Sequence, residues 1–405
     1  MKIILVSGAR PDFIKIAPIV WAMRRHSREG AADIQFVLIH AGEHLSPQLS
    51  DDFFRQLDLP APDYSLDVGS GSHTYQTAQL MARLEPILQR ERPDLVVVVG
   101  DFDSTVAAAL TASKLGIAVG HVEAGLRSFD RTMPEEINRI VTDSLADYLF
   151  VTEESGKENL LREGVEPGKI FFVGNVMIDA LQQSRLLWES SGIRDEMGLM
   201  YRDYGVVTLH RPANVDNPER LREIIGALAE VAKGIPIIFP IHPRTRRQLK
   251  LMNGSAPKFR SRAGRIAAYG IYGVDPLGYL EFVALMAGAR MVLTDSGGVQ
   301  EETTFLNVPC LTLRATTERP VTVTHGTNRV IGISAAAIVE EGSRLLKSPR
   351  PAFPPPPLWD GKASDRILAV LRERFAGPAA RSSGTSAGDT VIDTIAAVTK
   401  ERCIQ

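Results

Sequence analysis

The stretch Leu95-Val-Val-Val-Val-Gly100 is a continuous apolar run, which is the pattern of a strand buried on both faces of a sheet. Further short β-branched runs recur along the chain, and segments long enough for a helix separate most of them. These runs are Ile3–Ser7, Gln35–His40, Tyr148–Thr152, Ile170–Val173, Val206–Leu209, Ile235–Ile241, Arg290–Thr294 and Val308–Leu313. Apolar strands that alternate with amphipathic segments predict parallel sheets with helices on both faces, so the predicted fold class is α/β.

The predicted strands divide into two groups. About twelve strands are too many for one open sheet, and residues 180–204 hold no convincing strand. We therefore predict two Rossmann-like domains, residues 1–180 and residues 181–350. The length of 405 residues agrees with this division, because a domain usually has about 150 residues.

The end of the chain has a different composition. Pro351–Pro357 contains five prolines in seven residues, which predicts a stiff, extended connector. Residues 358–371 space apolar residues at helical intervals, so residues 351–375 are expected to form a linker and a helix that packs back on the body. Residues 376–405 begin with a stretch rich in Ala, Gly and Ser, and we expect a mobile tail there.

Composition and charge exclude several classes of protein. The chain has 23% charged and 44% apolar residues, close to the average of soluble globular proteins. Its 46 Lys and Arg against 48 Asp and Glu give a net charge of −2, which offers no bulk attraction to nucleic acid or anionic membrane. No apolar run approaches the roughly 20 residues that span a bilayer, and the opening apolar core is shorter than the roughly 7 to 15 residues of a signal peptide. Cys310 and Cys403 lack metal-ligand spacing and form no disulfide framework, so we expect a cytoplasmic protein.

A strand-to-helix turn follows the first predicted strand, in Ser7-Gly-Ala-Arg-Pro-Asp-Phe-Ile-Lys15. A glycine bend precedes Pro11, which stands at a suitable first helical position. Such a turn lies at the carboxyl edge of a sheet, where open α/β sheets hold their ligand crevice. Arg10 and Lys15 would place cations beside the helix N-terminus, so both are candidate ligands of an anion. A purely structural turn is the equal alternative.

A second turn of this kind lies in Leu293-Thr-Asp-Ser-Gly-Gly-Val-Gln-Glu-Glu302. Because a plain turn needs only one glycine, Ser296 with Gly297 and Gly298 indicates a cradle in which backbone N–H groups approach a phosphate closely. Glu302, one turn into the following helix, is placed to accept hydrogen bonds from ribose hydroxyls. The G-x-G-x-x-G fingerprint and the Walker pattern are both absent, which argues against hydride transfer and ATP hydrolysis.

The first half of the chain carries three acidic motifs, which are Gly100-Asp101, His121-Val-Glu-Ala-Gly-Leu-Arg127 and Met133-Pro-Glu-Glu-Ile-Asn-Arg139. Asp101 and Glu123 stand where an apolar strand ends, and an ionised acid is expensive to bury without a partner. Converging acids can supply both a general acid and a general base, so Asp101, Glu123 and Glu135 are candidate catalytic residues. The equal alternative is a structural ion-pair network with three nearby arginines, Arg127, Arg131 and Arg139.

The second half opens with a strand that ends in two adjacent cations, in Val207-Thr-Leu-His-Arg-Pro-Ala-Asn214. A single histidine is more often a satisfied core residue than a catalyst. Here His210 is followed by Arg211 at a strand end, which favours contact with a phosphate. The similar Phe239-Pro-Ile-His-Pro-Arg244 is a weaker candidate, because it lacks a glycine bend.

Taken together, these motifs closely resemble those of the non-hydrolysing UDP-N-acetylglucosamine 2-epimerases, and the resemblance covers about residues 1–371. The matching segments, in order, are Gly8–Asp12, Gly100-Asp101, His121–Arg127, Pro134–Arg139, Gly174-Asn175, His210-Arg211, Asp295–Glu302, Thr316–Pro320 and Gly326-Thr327. The resemblance implies two Rossmann-like domains with an interdomain cleft, the glycosyltransferase-B-like arrangement. It also implies that UDP binds mainly to the second domain and that the sugar lies in the cleft.

The resemblance assigns roles to individual residues. Diphosphate ligands fall on Ser296, Gly297 and Gly298, and the ribose ligand falls on Glu302. Arg10 and His210 would reach the phosphates from opposite walls, and Arg314 would face the sugar. The family's acid and base candidates fall on the three acids already singled out, Asp101, Glu123 and Glu135. Together with His210 they form the predicted catalytic set, and Lys15 and Arg211 complete the predicted substrate-binding set.

The implied reaction is reversible inversion at C2 of a UDP-2-acetamido sugar, most simply UDP-N-acetylglucosamine to UDP-N-acetylmannosamine. In this family anti elimination of UDP gives a 2-acetamidoglucal, which turns in the site before UDP adds back. The route requires no redox cofactor and no metal, and members of the family are commonly dimers. Which 2-acetamido sugar is used is left open, because relatives act on 3-acetamido, uronic acid and galacto analogues.

Two departures from the family pattern bear on regulation and on reaction type. Glu43 and Ser46 stand where members activated by their own substrate have glutamines, so we expect no such allosteric activation. The Gly100–Thr105 turn resembles the non-hydrolysing branch more than the hydrolysing one. The alternatives are a hydrolysing enzyme that releases free N-acetylmannosamine, a glycosyltransferase of the same fold, and a non-catalytic nucleotide-sugar binder.

Overall fold

The structure is a computed structural model. It describes residues 1–8, 10–28, 34–42, 54–69, 71–200, 203–251, 258–259, 265–266, 268–350 and 352–375. Within these ranges two seven-stranded sheets form, and every pairing in them is parallel. The α/β prediction is therefore confirmed.

The first sheet consists of β1 (Lys2–Ser7), β2 (Gln35–His40), β3 (Tyr64–Ser65), β4 (Leu95–Val99), β5 (Ala118–Val122), β6 (Tyr148–Val151) and β7 (Ile170–Phe172). The second consists of β8 (Gly205–Thr208), β9 (Pro236–Pro240), β10 (Lys258–Phe259), β11 (Gly270–Val274), β12 (Met291–Thr294), β13 (Cys310–Thr312) and β14 (Asn328–Val330).

The helices of the first half are α1 (Arg10–Arg28), α2 (His73–Glu91), α3 (Asp103–Lys114), α4 (Pro134–Leu145), α5 (Glu154–Arg162), α6 (Val176–Gln183), α7 (Arg185–Glu189) and α8 (Ile193–Glu196). Those of the second half are α9 (Pro212–Val215), α10 (Pro218–Val231), α11 (Pro243–Leu251), α12 (Tyr279–Gly288), α13 (Gly297–Phe305), α14 (Val321–Thr324), α15 (Ala335–Lys347) and α16 (Ala363–Phe375). In the described part of the chain, none of them has the length and apolar character needed to cross a membrane.

In each sheet the early strands lie on one side of the first strand and the later strands lie on its other side. The first sheet runs β3-β2-β1-β4-β5-β6-β7, and the second runs β10-β11-β9-β8-β12-β13-β14. The change of side lies between β1 and β4 and between β8 and β12. Ligands of open α/β sheets bind beyond the carboxyl ends of the strands at such a switch point. The predicted motifs after β1, β4, β8 and β12 therefore stand at the two positions where this fold binds ligands.

The core explains why the strands read as continuous apolar runs. All five residues of β4 are buried, because helices cover both faces of the sheet. By contrast β5, Ala118-Val-Gly-His-Val122, is absent from the predicted strands, since Gly120 and His121 interrupt its apolar pattern. The fully buried His121 is satisfied by the Asp143 carboxylate at 2.6 Å and the Gly100 carbonyl oxygen at 2.8 Å.

The last described helix packs against the first half of the molecule. α16 contacts α1 and α6, and the buried Asp179 accepts the backbone N–H groups of Ala363 and Ser364. Trp359, buried just before the helix, donates its indole N–H to the Thr152 carbonyl oxygen. In the structure this helix begins at Ala363, five residues after the Leu358 at which its apolar spacing starts. The domain boundary near residue 180 stays a prediction, and the predicted mobile tail lies outside the described residues.

Candidate active site

A buried ion pair lies beyond the carboxyl ends of β1, β4 and β5. Lys15 of α1 donates to the Glu123 carboxylate at 2.6 Å, and both side chains are almost fully buried. Gly100 leaves the room for this approach, because a Cβ built on it would lie 2.7 Å from Lys15 Nζ. Burial alone would lower the pKa of Lys15, yet its pKa is raised by the surrounding carboxylates of Glu123, Asp12 and Asp101. Lys15 is therefore an ammonium ion, and its positive charge stabilises the carboxylates of two predicted catalytic acids, Glu123 and Asp101.

Glu123 itself has an unusual backbone. Its φ angle is 72°, in the left-handed region that residues other than glycine rarely adopt. One carboxylate oxygen binds Lys15, while the other, Oε1, is buried without a hydrogen-bond partner among the described residues. A strained residue with a free buried acceptor is typical of a functional position rather than of packing.

Asp101 is held from the opposite side by Arg139 of α4. The Arg139 guanidinium contacts the Asp101 carboxylate and donates to Glu136 at 2.5 Å. Burial alone would raise the pKa of Asp101, but Arg139 and Lys15 lower it. Of the three arginines in the structural alternative, Arg139 does pair with a predicted catalytic acid. Arg127 instead binds Asp143 and Glu163, which makes it part of the scaffold.

Glu135 differs from the other two acids because it faces the second half of the molecule. Its carboxylate lies 3.9 Å from Arg211, the residue after His210, and its side chain is 38% exposed. Arg211 also lies 3.7 Å from Glu318 and donates its Nε–H to the Asp295 carbonyl oxygen. The predicted substrate ligand Arg211 thus joins the two walls of the cleft.

His210 is oriented by a residue that the sequence predictions did not include among the site residues. Asp295, fully buried at the end of β12, lies 2.9 Å from His210 Nδ1 and accepts the backbone N–H groups of His210 and Arg211. Burial alone would raise the pKa of Asp295, yet these donors lower it, so the group is a carboxylate. His210 Nδ1 must then carry the hydrogen of that contact, which leaves Nε2 of the half-exposed ring for a ligand.

The second switch point carries the glycine turn. Ser296 precedes α13, which begins at Gly297, so the backbone N–H groups of its first turn are directed beyond the helix N-terminus. A Cβ at Gly297 would lie 2.4 Å from Arg319 Nη1 and 2.9 Å from Glu318 Oε1. Gly297 therefore has no room for a side chain, whereas a Cβ at Gly298 would meet Met177 at 3.3 Å.

Two glutamates of α13 are buried. Burial raises the pKa of Glu302 to about 8, and its Oε1 has no hydrogen-bond partner among the described residues. Glu301 lies 2.8 Å from Arg319 and accepts the Asn175 side-chain N–H at 3.0 Å. Burial also raises the pKa of Glu301. Asn175 belongs to the first half, so α13 connects the two halves directly.

Glu318 pairs with the arginines of the second wall. It lies 2.6 Å from Arg319 and 2.8 Å from Arg314, in addition to Arg211. Burial alone would raise the pKa of Glu318, but these guanidinium groups lower it strongly. Arg319 also lies 3.7 Å from Glu123, which completes a charge network from one wall to the other. Arg314 Nη1 is buried without a hydrogen-bond partner among the described residues.

The structure thus brings most predicted site residues to one cleft. Asp101, Glu123 and Lys15 form one wall, and Glu135 reaches the other through Arg211. Sequence reasoning missed Asp295, Glu301, Glu318 and Arg319 as site residues, although all four stand in motifs that it singled out. Arg10 begins α1, but its side chain lies outside the described residues, as do Glu43 and Ser46.

The molecule has two halves, each built on a parallel sheet. Acids lie on one wall between them, and a helix N-terminus with arginines lies on the other. This arrangement is that of an enzyme of the glycosyltransferase-B-like fold that acts on nucleotide sugars. Comparison with known proteins specifies the family. The model of the UDP-N-acetylglucosamine 2-epimerase family matches residues 26–372, and the chain belongs to this family. It is therefore an enzyme of the isomerase class.

Individual relatives extend over nearly the whole chain. A UDP-N-acetylglucosamine 2-epimerase of Methanocaldococcus jannaschii is 43% identical over 92% of this chain and 99% of its own length. A UDP-2,3-diacetamido-2,3-dideoxy-D-glucuronate 2-epimerase of Pseudomonas aeruginosa is 39% identical over 85% of this chain and 92% of its own.

The M. jannaschii enzyme has also been solved. Its crystal structure with UDP-GlcNAc and UDP gives a TM-score of 0.82 at 42% identity, covering 92% of this chain and 100% of that one. Another structure of the UDP-GlcNAc 2-epimerase from the same organism, at 41% identity and the same coverage, gives 0.70.

Proposed function

We propose that the protein inverts C2 of a UDP-2-acetamido sugar reversibly and without net hydrolysis. The observation that carries this proposal is the distribution of charged groups between the two walls of the cleft. Carboxylates with an ammonium ion occupy one wall, and a helix N-terminus with His210 and several arginines occupies the other. The first set can move protons, and the second can hold a departing diphosphate.

The reaction begins with removal of the C2 proton by a carboxylate, while the C1–oxygen bond to UDP breaks. The products of this step are a 2-acetamidoglucal and UDP, both kept in the cleft. Proton delivery to the opposite face of C2 and readdition of UDP at C1 give the epimer. Asp101, Glu123 and Glu135 are the proton carriers in this proposal. Lys15 stabilises the charge on the first two, since it binds the Glu123 carboxylate at 2.6 Å and lies close enough to Asp101 to lower the pKa of that acid.

In this proposal the negatively charged diphosphate binds to the second wall of the cleft. The backbone N–H groups at Ser296, Gly297 and Gly298 bind it, and the Nε2 atom of His210 donates a hydrogen bond when the ring is protonated. Arg10 and Arg211 contribute from the two sides of the cleft. Glu302 is the proposed acceptor of hydrogen bonds from the ribose hydroxyls.

The sugar is a 2-acetamido sugar in the proposal, and UDP-N-acetylglucosamine is its simplest form. The M. jannaschii relative supports this choice, because its structure is a complex with UDP-GlcNAc and UDP. The Pseudomonas relative is named for a 2,3-diacetamido uronate. A substituted sugar is therefore the second candidate, and we keep Arg314 as the proposed sugar-facing residue that would distinguish the two. We keep the homodimer as a prediction.

The hydrolysing alternative differs in the fate of the glycal. If UDP did not return, the products would be UDP and free N-acetylmannosamine, and end-product analysis by chromatography distinguishes the two outcomes. Neither a glycosyltransferase of this fold nor a non-catalytic nucleotide-sugar binder would require three acids at the cleft.

Turnover in heavy water is the direct test. Elimination passes the C2 hydrogen to a carboxyl group that exchanges with solvent, so the product should carry deuterium at C2, as seen by proton NMR. Replacing Asp101, Glu123 or Glu135 by the matching amide should lower epimerisation by about 10² to 10⁴-fold, the usual contribution of general acid–base catalysis. At least one variant should release UDP and the glycal, because recapture is slowed.

The control is Glu154→Gln, which changes an exposed acid on α5 that pairs with Lys157, and this variant should retain activity. A product that keeps its C2 hydrogen, or three amide variants with near-normal rates, would contradict the elimination route.

A further inference from the structure

The backbone of the predicted catalytic acid Asp101 is bound by a side chain outside the predicted site residues. Asn138 of α4 donates its side-chain N–H to the Asp101 carbonyl oxygen at 3.0 Å. The next residue of the same helix, Arg139, contacts the Asp101 carboxylate. Two consecutive residues of α4 therefore hold the backbone and the side chain of this acid.

The Asn138 amide has a second acceptor. Its Nδ2 atom also donates to Asp103 Oδ1 at 3.1 Å, and an amide nitrogen carries two hydrogens, so one is available for each acceptor. The Asp103 side chain is only 7% exposed, and its Oδ2 lies 2.8 Å from Nδ1 of His73 at the start of α2. The position of the Asn138 amide is thus fixed by a buried group that belongs to the same turn as Asp101.

The preceding carbonyl group of the turn is held in a similar way. His121 Nε2 lies 2.8 Å from the Gly100 carbonyl oxygen, and its Nδ1 lies 2.6 Å from Asp143, another residue of α4. Two successive carbonyl groups, those of Gly100 and Asp101, are therefore bound by side chains that α4 carries or holds. The turn that presents Asp101 is fixed against this helix at both carbonyl groups.

We propose that Asn138 is a positioning residue, which holds the Asp101 carboxylate within reach of the C2 proton of the UDP-sugar, and that Asp103 holds Asn138 in place. A proton carrier must lie within hydrogen-bond reach of the proton that it moves. A displacement of about 1 Å can lower the rate by about 10²-fold. The inference rests on the proposed function, because it requires Asp101 to carry a proton.

Asn138→Ala is the first test. It removes both hydrogen bonds of the amide and leaves Arg139 on the Asp101 carboxylate, and alanine is the better helix former, so α4 should be retained. We expect kcat to fall by about ten- to hundredfold. KM and the UDP dissociation constant should stay within about twofold, because UDP binds the second wall and the lost interaction acts in the transition state. A wild-type UDP stoichiometry in calorimetry shows that the variant is folded.

A double variant shows whether the effect passes through Asp101. In Asp101→Asn the proton carrier is already lost, so adding Asn138→Ala should lower the rate further by less than about threefold. A loss by the same factor in both backgrounds would indicate a general structural effect and would overturn the positioning role.

The part played by Asp103 has its own pair of variants. Asp103→Asn keeps an oxygen that can accept the Asn138 N–H, so kcat should stay within about threefold of the wild type. Asp103→Ala removes that acceptor and should lower kcat, and adding Asn138→Ala should give no greater loss than Asn138→Ala alone. Equal losses in Asp103→Asn and Asp103→Ala would remove Asp103 from the proposal.

The matched control lies on the same helix. Ser144 is exposed, and its hydroxyl donates to the Ile140 carbonyl oxygen of α4 at 2.8 Å, so Ser144→Ala should behave as the wild type. A normal kcat in Asn138→Ala, with a strongly impaired Asp101→Asn, would overturn this inference and leave the proposed function intact. A near-normal rate in Asp101→Asn would instead refute the role of Asp101 in the proposed function.

Discussion

At the scale of single residues, the cleft shifts the pKa values of its carboxyl groups in opposite directions. The pKa of Asp101 is lowered by Arg139 and Lys15 despite burial, whereas burial raises the pKa of Glu302 to about 8. Burial likewise raises the pKa of Glu153, beside the network, to about 7. Environments that separate the pKa values of like groups are how one site obtains both acids and bases. The difference arises from the neighbouring cations, which sequence spacing alone does not reveal.

The raised pKa of Glu302 predicts how the free energy of unfolding depends on pH. Its pKa is about 8 in the folded protein and 4.5 as the ordinary value, so ionisation favours the unfolded chain. Its contribution is fully present below about pH 4.5 and is lost as the pH rises through about 8. Compared with the wild type, Glu302→Gln should therefore gain relative stability as the pH rises from about 5 to 8, by up to a few kcal/mol.

Denaturant unfolding at several pH values measures this difference, with Glu154→Gln as the exposed control. Parallel pH profiles for the wild type and Glu302→Gln would show that burial does not hold this proton.

At the scale of elements, the sequence predicts the strands and turns well where local chemistry determines them. β2 has the predicted bounds, and both glycine turns lie at switch points, because apolar runs and glycine bends are local signals. β5 escaped prediction because its polar His121 is satisfied by Asp143, which is distant in sequence. Asp295 escaped as a site residue for the same reason, since its role depends on a contact with His210 across two strands.

The N-terminus of α13 gives a prediction about glycine. Gly297→Ala places a Cβ where Arg319 Nη1 and Glu318 Oε1 lie, so either the turn or this buried ion pair must shift, and either shift alters the site where the diphosphate approaches the backbone N–H groups. UDP affinity should fall by at least about tenfold in calorimetry, equivalent to about 1.4 kcal/mol.

Gly226 of α10 is the matched control, because a Cβ built there meets nothing within 4 Å. Gly226→Ala should raise the unfolding free energy by up to about 1 kcal/mol and leave UDP affinity unchanged. Unchanged UDP binding in Gly297→Ala would argue against the phosphate cradle.

At the scale of the whole molecule, several polar contacts join the two halves. Asn175 donates to Glu301, Arg319 approaches Glu123, and the Gln56 side chain accepts the Tyr279 backbone N–H at 3.1 Å. Apolar residues also take part, since Val176 of the first half and Val299 of the second belong to one buried cluster.

We therefore expect UDP to draw the two halves together, because it would contact both walls of the cleft. Small-angle scattering should show a smaller radius of gyration with saturating UDP than without it.

Asn175→Ser provides the sharper test, since serine still caps α6 but is too short to reach Glu301. Closure in this variant should need more UDP. Asn217→Ser makes the same change at the N-cap of α10, where the side chain accepts the backbone N–H groups of Glu219 and Arg220 of its own helix, and should behave as the wild type. An unchanged radius of gyration, with saturation confirmed by calorimetry, would exclude closure, and identical titrations of both variants would exclude the Asn175 contact as its support.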